Sequence, residues 1–196
     1  MRRKRRGLSF YRKKKKINPA LIKRIIIWAA GIMITVFVAF AIVYCIGIKT
    51  SVIGDSMNPT LNNGQEIYIN RIIYNFTSPK RGDVVVFAPS ANQNSHYYVK
   101  RIIGLPGETI QIKNGKIYIN DKLYEENSDI YDLIENPGIA VNEIVLGKKE
   151  YFVLGDNRNN SEDSRNANIG VIKKKDILGK AWFRMASEYE GMGFIK

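Results

Sequence analysis

Residues 108–120 read ETIQIKNGKIYIN. Ile110 and Ile112 alternate with polar neighbours, as do Ile117 and Ile119, so each arm puts apolar side chains on one face at the period of a half-buried strand. Asn114 and Gly115 between them both tolerate positive φ, which the tight turn of a two-residue hairpin requires at its two central positions. The segment is a β-hairpin, and the sequence on either side continues in the same manner. QEIYINRIIY (65–74) alternates through Ile67 and Ile69 and roughly onward, DVVVF (83–87) and YYVKRIIG (97–104) are short β-branched runs, and YFVLGD (151–156) and GKAWFRM (179–185) add two more. After residue 50 no long face of period 3.6 occurs, although EENSDIYDLIEN (125–136) has room for a helical turn or two. A mainly β, mostly antiparallel body follows. Residues 109–149, rich in Asn, Asp, Glu and Lys, read as a small β subdomain inserted into a main sheet formed by 49–108 and 150–196; one continuous sheet with a long hairpin is the alternative.

A different pattern precedes this body. Residues 25–48, IIIWAAGIMITVFVAFAIVYCIGI, carry no charge. As a helix rising ~1.5 Å per residue they extend ~36 Å, enough for a hydrocarbon layer of ~30 Å. A cleavable secretory signal is the competing idea, but its apolar stretch should be about 7–15 residues and end at small residues. Here the one A-x-A pattern, Ala39 to Ala41, is followed by seven more uncharged residues, so a retained membrane helix fits better.

The net charge of +13 invites a nucleic-acid partner. Its location removes that reading: residues 1–24 hold 12 of the 31 basic residues and no acidic ones, leaving 19 bases against 18 acids after Ile48. The arm flanks the apolar run, and such flanks stay on the cytoplasmic side, which puts the body outside. It serves as a topological signal, or alternatively as a patch for anionic lipid. Cys45 is the only cysteine and lies in the span, so there is no intramolecular disulfide and no cysteine metal site.

Past the span comes GDSMNPTL (54–61), whose Ser56 lies eight residues beyond Ile48. A serine there is a capping or surface residue unless something takes its proton. The single histidine, His96, sits in the polar stretch ANQNSHYY; Lys100 sits between Tyr98, Val99, Ile102 and Ile103, where burial favours the neutral amine. Four residues along a strand span ~13 Å, so the two cannot serve one hydroxyl together. Residue chemistry alone leaves the choice open.

The chain resembles the type I signal peptidase family in four segments that occur in the family's order: GDSMNPTL (54–61), RGDVVVF (81–87), YYVKRIIGLPGET (97–109) and GDNRNNSEDSR (155–165). With the apolar span they cover most of the chain. Self-cleaving repressors share a Ser-Lys dyad and a related β core, but carry a DNA-binding head and no membrane anchor. The resemblance implies Ser56 as nucleophile and Lys100 as general base, with the Ser161 hydroxyl orienting the amine. It further implies two supporting ion pairs, Asp163 with Arg165 and Arg101 with Asp156, and Asp83 as a scaffold acid.

Where some members carry a serine two residues before the nucleophile, this chain has Gly54. The backbone N–H of Ser56 is then the expected oxyanion donor, aided by a main-chain group of Gly54 or water. Val52 and Val99 align with walls of shallow pockets for small side chains, while Met57 either fills a pocket edge or dips toward lipid. The family implies signal peptides of exported preproteins as substrate, the bilayer as partner, and neither cofactor nor metal. It also implies one anchor, as in single-membrane bacteria. A catalytically silent, peptide-binding relative of the same fold is the rival.

Overall fold

A computed structural model describes residues 18–89, 97–126, 130–188 and 191–195. The basic arm up to residue 17 and His96 lie outside them. The first element is a 28-residue helix, α1 (Pro19–Ile46), whose stretch Pro19–Ala41 is long and apolar enough to cross a membrane. It starts six residues before the uncharged run because Asn18 accepts the Ala20 N–H (3.0 Å) and Pro19 occupies the first turn, where its missing N–H costs nothing. It also ends before that run does. Gly47 follows the helix, and Ile48 already belongs to a strand.

In the body, β1 (Ile48–Ser51), β2 (Glu66–Asn70), β3 (Val84–Phe87) and β4 (Tyr98–Gly104) precede the hairpin β5 (Thr109–Lys113) and β6 (Lys116–Ile119). Next come β7 (Lys122–Leu123), β8 (Ile144–Val145), β9 (Glu150–Leu154), β10 (Ile172–Lys173), β11 (Ile177–Arg184) and β12 (Gly193–Phe194). The main sheet runs β1-β2-β11-β3-β4-β9-β10, with β12 also paired to β11; a second sheet runs β7-β6-β5-β8. All pairings are antiparallel.

The hairpin forms as its sequence requires. Lys113 faces Lys116 and Ile110 faces Ile119, while Asn114 and Gly115 take φ of 52° and 74°. Strands β5 to β8 thus build the second sheet, but it does not keep a core to itself. Ile103, Phe152 and Leu154 of the main sheet cluster with Ile110, Ile112 and Ile117, each such side chain contributing ~1.5–3 kcal/mol by leaving water. Val52, Met57, Leu61, Ile67, Val84 and Val99 form another cluster, and Tyr74, Phe87, Ile102 and Val153 a third. Packed on both faces, β4 is buried along nearly its whole length.

Two local expectations are corrected. The alternation of 65–74 does not continue past Asn70, because its side chain accepts the N–H groups of Ile72 (3.2 Å) and Ile73 (3.1 Å) and turns the chain into a short helix, α2 (Ile73–Phe76). The described residues of 125–136 hold no helix; a 3-10 turn comes just after them, at Gly138–Val141. Their polar groups are committed elsewhere: Ile134 N–H to Gly115 O (3.0 Å), Glu135 N–H to the Asn159 side chain (3.0 Å), and Glu126 to Arg158. Trp182 and Phe183 are half-buried in an aromatic group with Phe194, at 5.9 and 5.5 Å between ring centres.

Candidate active site

Ser56 lies in the loop joining β1 to β2. The loop is closed at its base by Val52 N–H to Gln65 O (2.9 Å) and Gly64 N–H to Val52 O (2.8 Å), and Met57 and Leu61 fasten its middle by inserting into the core. Gly54 has φ +84°, and the Asn58–Pro59 peptide is cis. The Ser56 side chain lies in a cleft of ≈ 280 Å³ lined also by Val52, Ile53, Tyr97, Tyr98, Val99 and Lys100. Met57 does not edge the cleft; it is wholly buried, in the cluster that also holds Val52 and Val99.

Lys100 arrives from β4, where Lys100 pairs with Val85 and Arg101 with Leu154 of β9. Its Nζ stands 2.5 Å from Ser56 Oγ and 5.8 Å from the centre of the Tyr98 ring. As an ammonium, Nζ donates to Oγ; as a free amine, it accepts the hydroxyl proton. Burial lowers the Lys100 pKa from 10.5 to about 8, against the pull of Asp163, Glu162 and Asp156, which favour the charged form. At pH 8 roughly half of such amines carry no proton.

The loop after β9 supplies the remaining groups. Asp156 binds Arg101 through both carboxylate oxygens (2.8 and 2.7 Å), and Arg101 also donates to Gly82 O (2.8 Å). Asp163 binds Arg165 through both oxygens (2.8 Å each) and accepts the Gly155 N–H (3.0 Å). Ser161 Oγ is buried and has no hydrogen-bond partner among the described residues; no bond joins it to Lys100. A side chain at Gly155 would collide with that hydroxyl and with Ser56 O, at 2.2 and 2.4 Å, so glycine is required for the loop to lie against the serine.

The Gly54 N–H is already given to Asn63 Oδ1 (3.0 Å), which removes it as an oxyanion donor. The Ser56 N–H donates to no acceptor among the described residues. Asp83 accepts from Tyr74 (2.9 Å), the Lys80 N–H (2.9 Å) and Lys180 (2.5 Å), a structural junction away from the cleft.

Three residues that sequence reasoning passed over belong to this arrangement. Asn157 bonds to the main chain of both Asp55 and Ser56, Thr60 accepts from Arg101 (3.4 Å), and the buried Arg158 donates to Gly155 O (3.1 Å) while its guanidinium lies 4.3 Å from the Tyr131 ring centre. Asn157 and Arg158 lie within GDNRNNSEDSR, and their only sequence signal was that position.

The model of the family described as signal peptidase, peptidase S26, matches residues 24–186. Signal peptidase I P of Bacillus subtilis subsp. natto is 38% identical over 85% of this chain and 89% of its own length, and signal peptidase I S of Bacillus subtilis (strain 168) is 38% identical over 85% and 91%. A signal peptidase I of known structure from Enterococcus faecalis aligns with a TM-score of 0.40 at 30% identity, covering 53% of this chain and 97% of its own. On the family match and the two Bacillus relatives, the chain belongs to the signal peptidase family, peptidase S26.

Proposed function

We propose that this chain is a membrane-anchored serine endopeptidase that removes signal peptides from exported preproteins through Ser56 and Lys100. The observation that carries the reading is the buried amine 2.5 Å from the serine hydroxyl. An ordinary lysine is protonated and useless as a base, whereas burial supplies a free amine near neutral pH. Lys100 takes the Ser56 proton as Oγ attacks the scissile carbonyl. The carbonyl oxygen, now negative, receives the Ser56 N–H. The lysine ammonium then protonates the departing amine, leaving an acyl-enzyme, and the regenerated amine activates water for deacylation. Ser161 is assigned to orient the amine, since its buried hydroxyl has no hydrogen-bond partner among the described residues. The Arg101–Asp156 and Asp163–Arg165 pairs hold the strand of the base and the last loop in place.

Val52 and Val99 narrow the cleft, in keeping with small side chains at the first and third residues before the cut, and the substrate would lie extended beside the sheet edge. The helix Pro19–Ala41 serves as the single anchor, with the basic arm cytoplasmic and the body outside. No cofactor, metal or nucleic acid enters this scheme. The test compares purified wild type with Ser56→Ala on a preprotein: wild type releases the mature protein and the variant does not. Equal release by both contradicts the reading, and binding without release by wild type supports the silent relative instead.

A further inference from the structure

Ser56 is flanked by two peptide groups, and a single residue from the loop after β9 holds both. The Asn157 main-chain N–H donates to Ser56 O (3.1 Å), and its side-chain Nδ2 donates to Asp55 O (3.1 Å). Asp55 O also accepts the local turn bond from the Asn58 N–H (3.1 Å), so it has two fixed partners. A trans peptide is planar, and its C=O and N–H point in opposite directions. Fixing the Asp55 carbonyl therefore aims the Ser56 N–H, the nucleophile's own backbone donor, which no acceptor among the described residues occupies. Because the Gly54 N–H is engaged by Asn63 and glycine offers no hydroxyl, the aim of this single donor matters more here than it would beside a serine.

We propose that Asn157 is a positioning residue for the oxyanion donor, its side-chain amide holding the Asp55–Ser56 peptide so that the Ser56 N–H meets the carbonyl oxygen as charge develops on it. The inference rests on the peptidase reading. The residue type suits this role, because a carbonyl must be met by a donor, which the amide's NH2 end supplies and an isosteric carboxylate does not. Its neighbour Asp156 grips Arg101, the residue after the general base. One loop thus sets the peptide of the nucleophile and the strand of the base in common register. The Nδ2 bond is solvent-exposed, so losing it leaves folding nearly untouched while loosening the donor.

The test uses the full-length chain with Asn157→Ala and Asn157→Asp, a preprotein substrate, and a pair of peptide inhibitors. One is an aldehyde, whose adduct with Ser56 places an oxyanion at the donor; the other is the matching alcohol, which forms none. Asn157→Ala should lower kcat by about 10- to 100-fold, below the roughly 100- to 1,000-fold seen when such a donor is removed outright. KM should stay within about twofold, the midpoint of the pH profile should not move, and aldehyde affinity should fall with kcat while alcohol affinity holds. Asn157→Asp should lose more, since its carboxylate offers no donor to the Asp55 carbonyl oxygen and repels it. Unchanged kcat in both variants overturns the proposal, as does a loss shared by the alcohol or accompanied by a shifted pH midpoint or a lower Tm. If wild type cleaves and Asn157→Ala cleaves equally, this inference alone fails; if wild type is no faster than Ser56→Ala, the peptidase reading fails and takes this one with it.

Discussion

Lys100 and Arg101 are consecutive on β4 and nearly equally buried, at 3% and 7% exposure, yet their surroundings treat them in opposite ways. Burial works against the charge on Arg101, but the bond and charge of Asp156 overcome it and raise its pKa further. Lys100 is given one hydroxyl and an aromatic ring and bonds to no carboxylate among the described residues, so burial prevails and its pKa drops to about 8. The first cation is a fixed rivet between the β4 strand and the last loop. The second can lose its proton. Two adjacent positions with opposite side-chain directions let one strand carry both a scaffold cation and the lysine proposed as the base.

The widest break in this comparison comes from exchanging the chemistries. Lys100→Arg keeps a cation in the cleft but cannot release its proton at working pH. Preprotein cleavage should fall by about 10⁴-fold or more, as should that of Ser56→Ala, because residues acting as one unit fail together. Surviving activity in Lys100→Arg would rule out the base assignment. On the rivet side, Arg101→Met strands Asp156 in the interior and should cost about 3–5 kcal/mol in denaturant unfolding, whereas Arg101→Met with Asp156→Leu should recover much of that. If the double variant is no better than the single, the pair is not what matters there.

Finer effects concern the proton. The rate should rise with pH through a midpoint near 8. Asp163 favours the ammonium, so Asp163→Asn should move that midpoint downward, though the change also releases Arg165. Smallest is a stability slope. Between pH 8 and 10.5 the unfolded lysine holds its proton while the folded one has lost it, so stability rises with pH across that window, and Lys100→Met should remove this contribution. Chemical denaturation at three pH values would measure it.

How far the sequence could be read depended on whether a residue's role was local. The Asn114–Gly115 hairpin was legible in full because its turn chemistry and both alternations lie within 13 residues. Strands β1, β7, β8, β10 and β12 escaped because two to four residues are too few to show a period. The continuation past Asn70 misled because a side-chain acceptor competed with the ladder for the N–H groups of Ile72 and Ile73. The outer limits of α1 were set by Asn18 and Gly47, not by where charge begins. In the site, residue chemistry made Lys100 suspect, but nothing periodic links it to Ser56, 44 positions away. The family resemblance joined them. Asn157 stayed invisible because its importance lies in the direction of two peptides it does not belong to.

The dissociable proton on Lys100 carries the account, and NMR titration of ε-¹³C-labelled lysines in the full-length protein reads it directly, with the resonance assigned by its absence in Lys100→Met. The account predicts one lysine with a midpoint near 8. A Lys100 resonance that titrates at the ordinary 10.5 would contradict it.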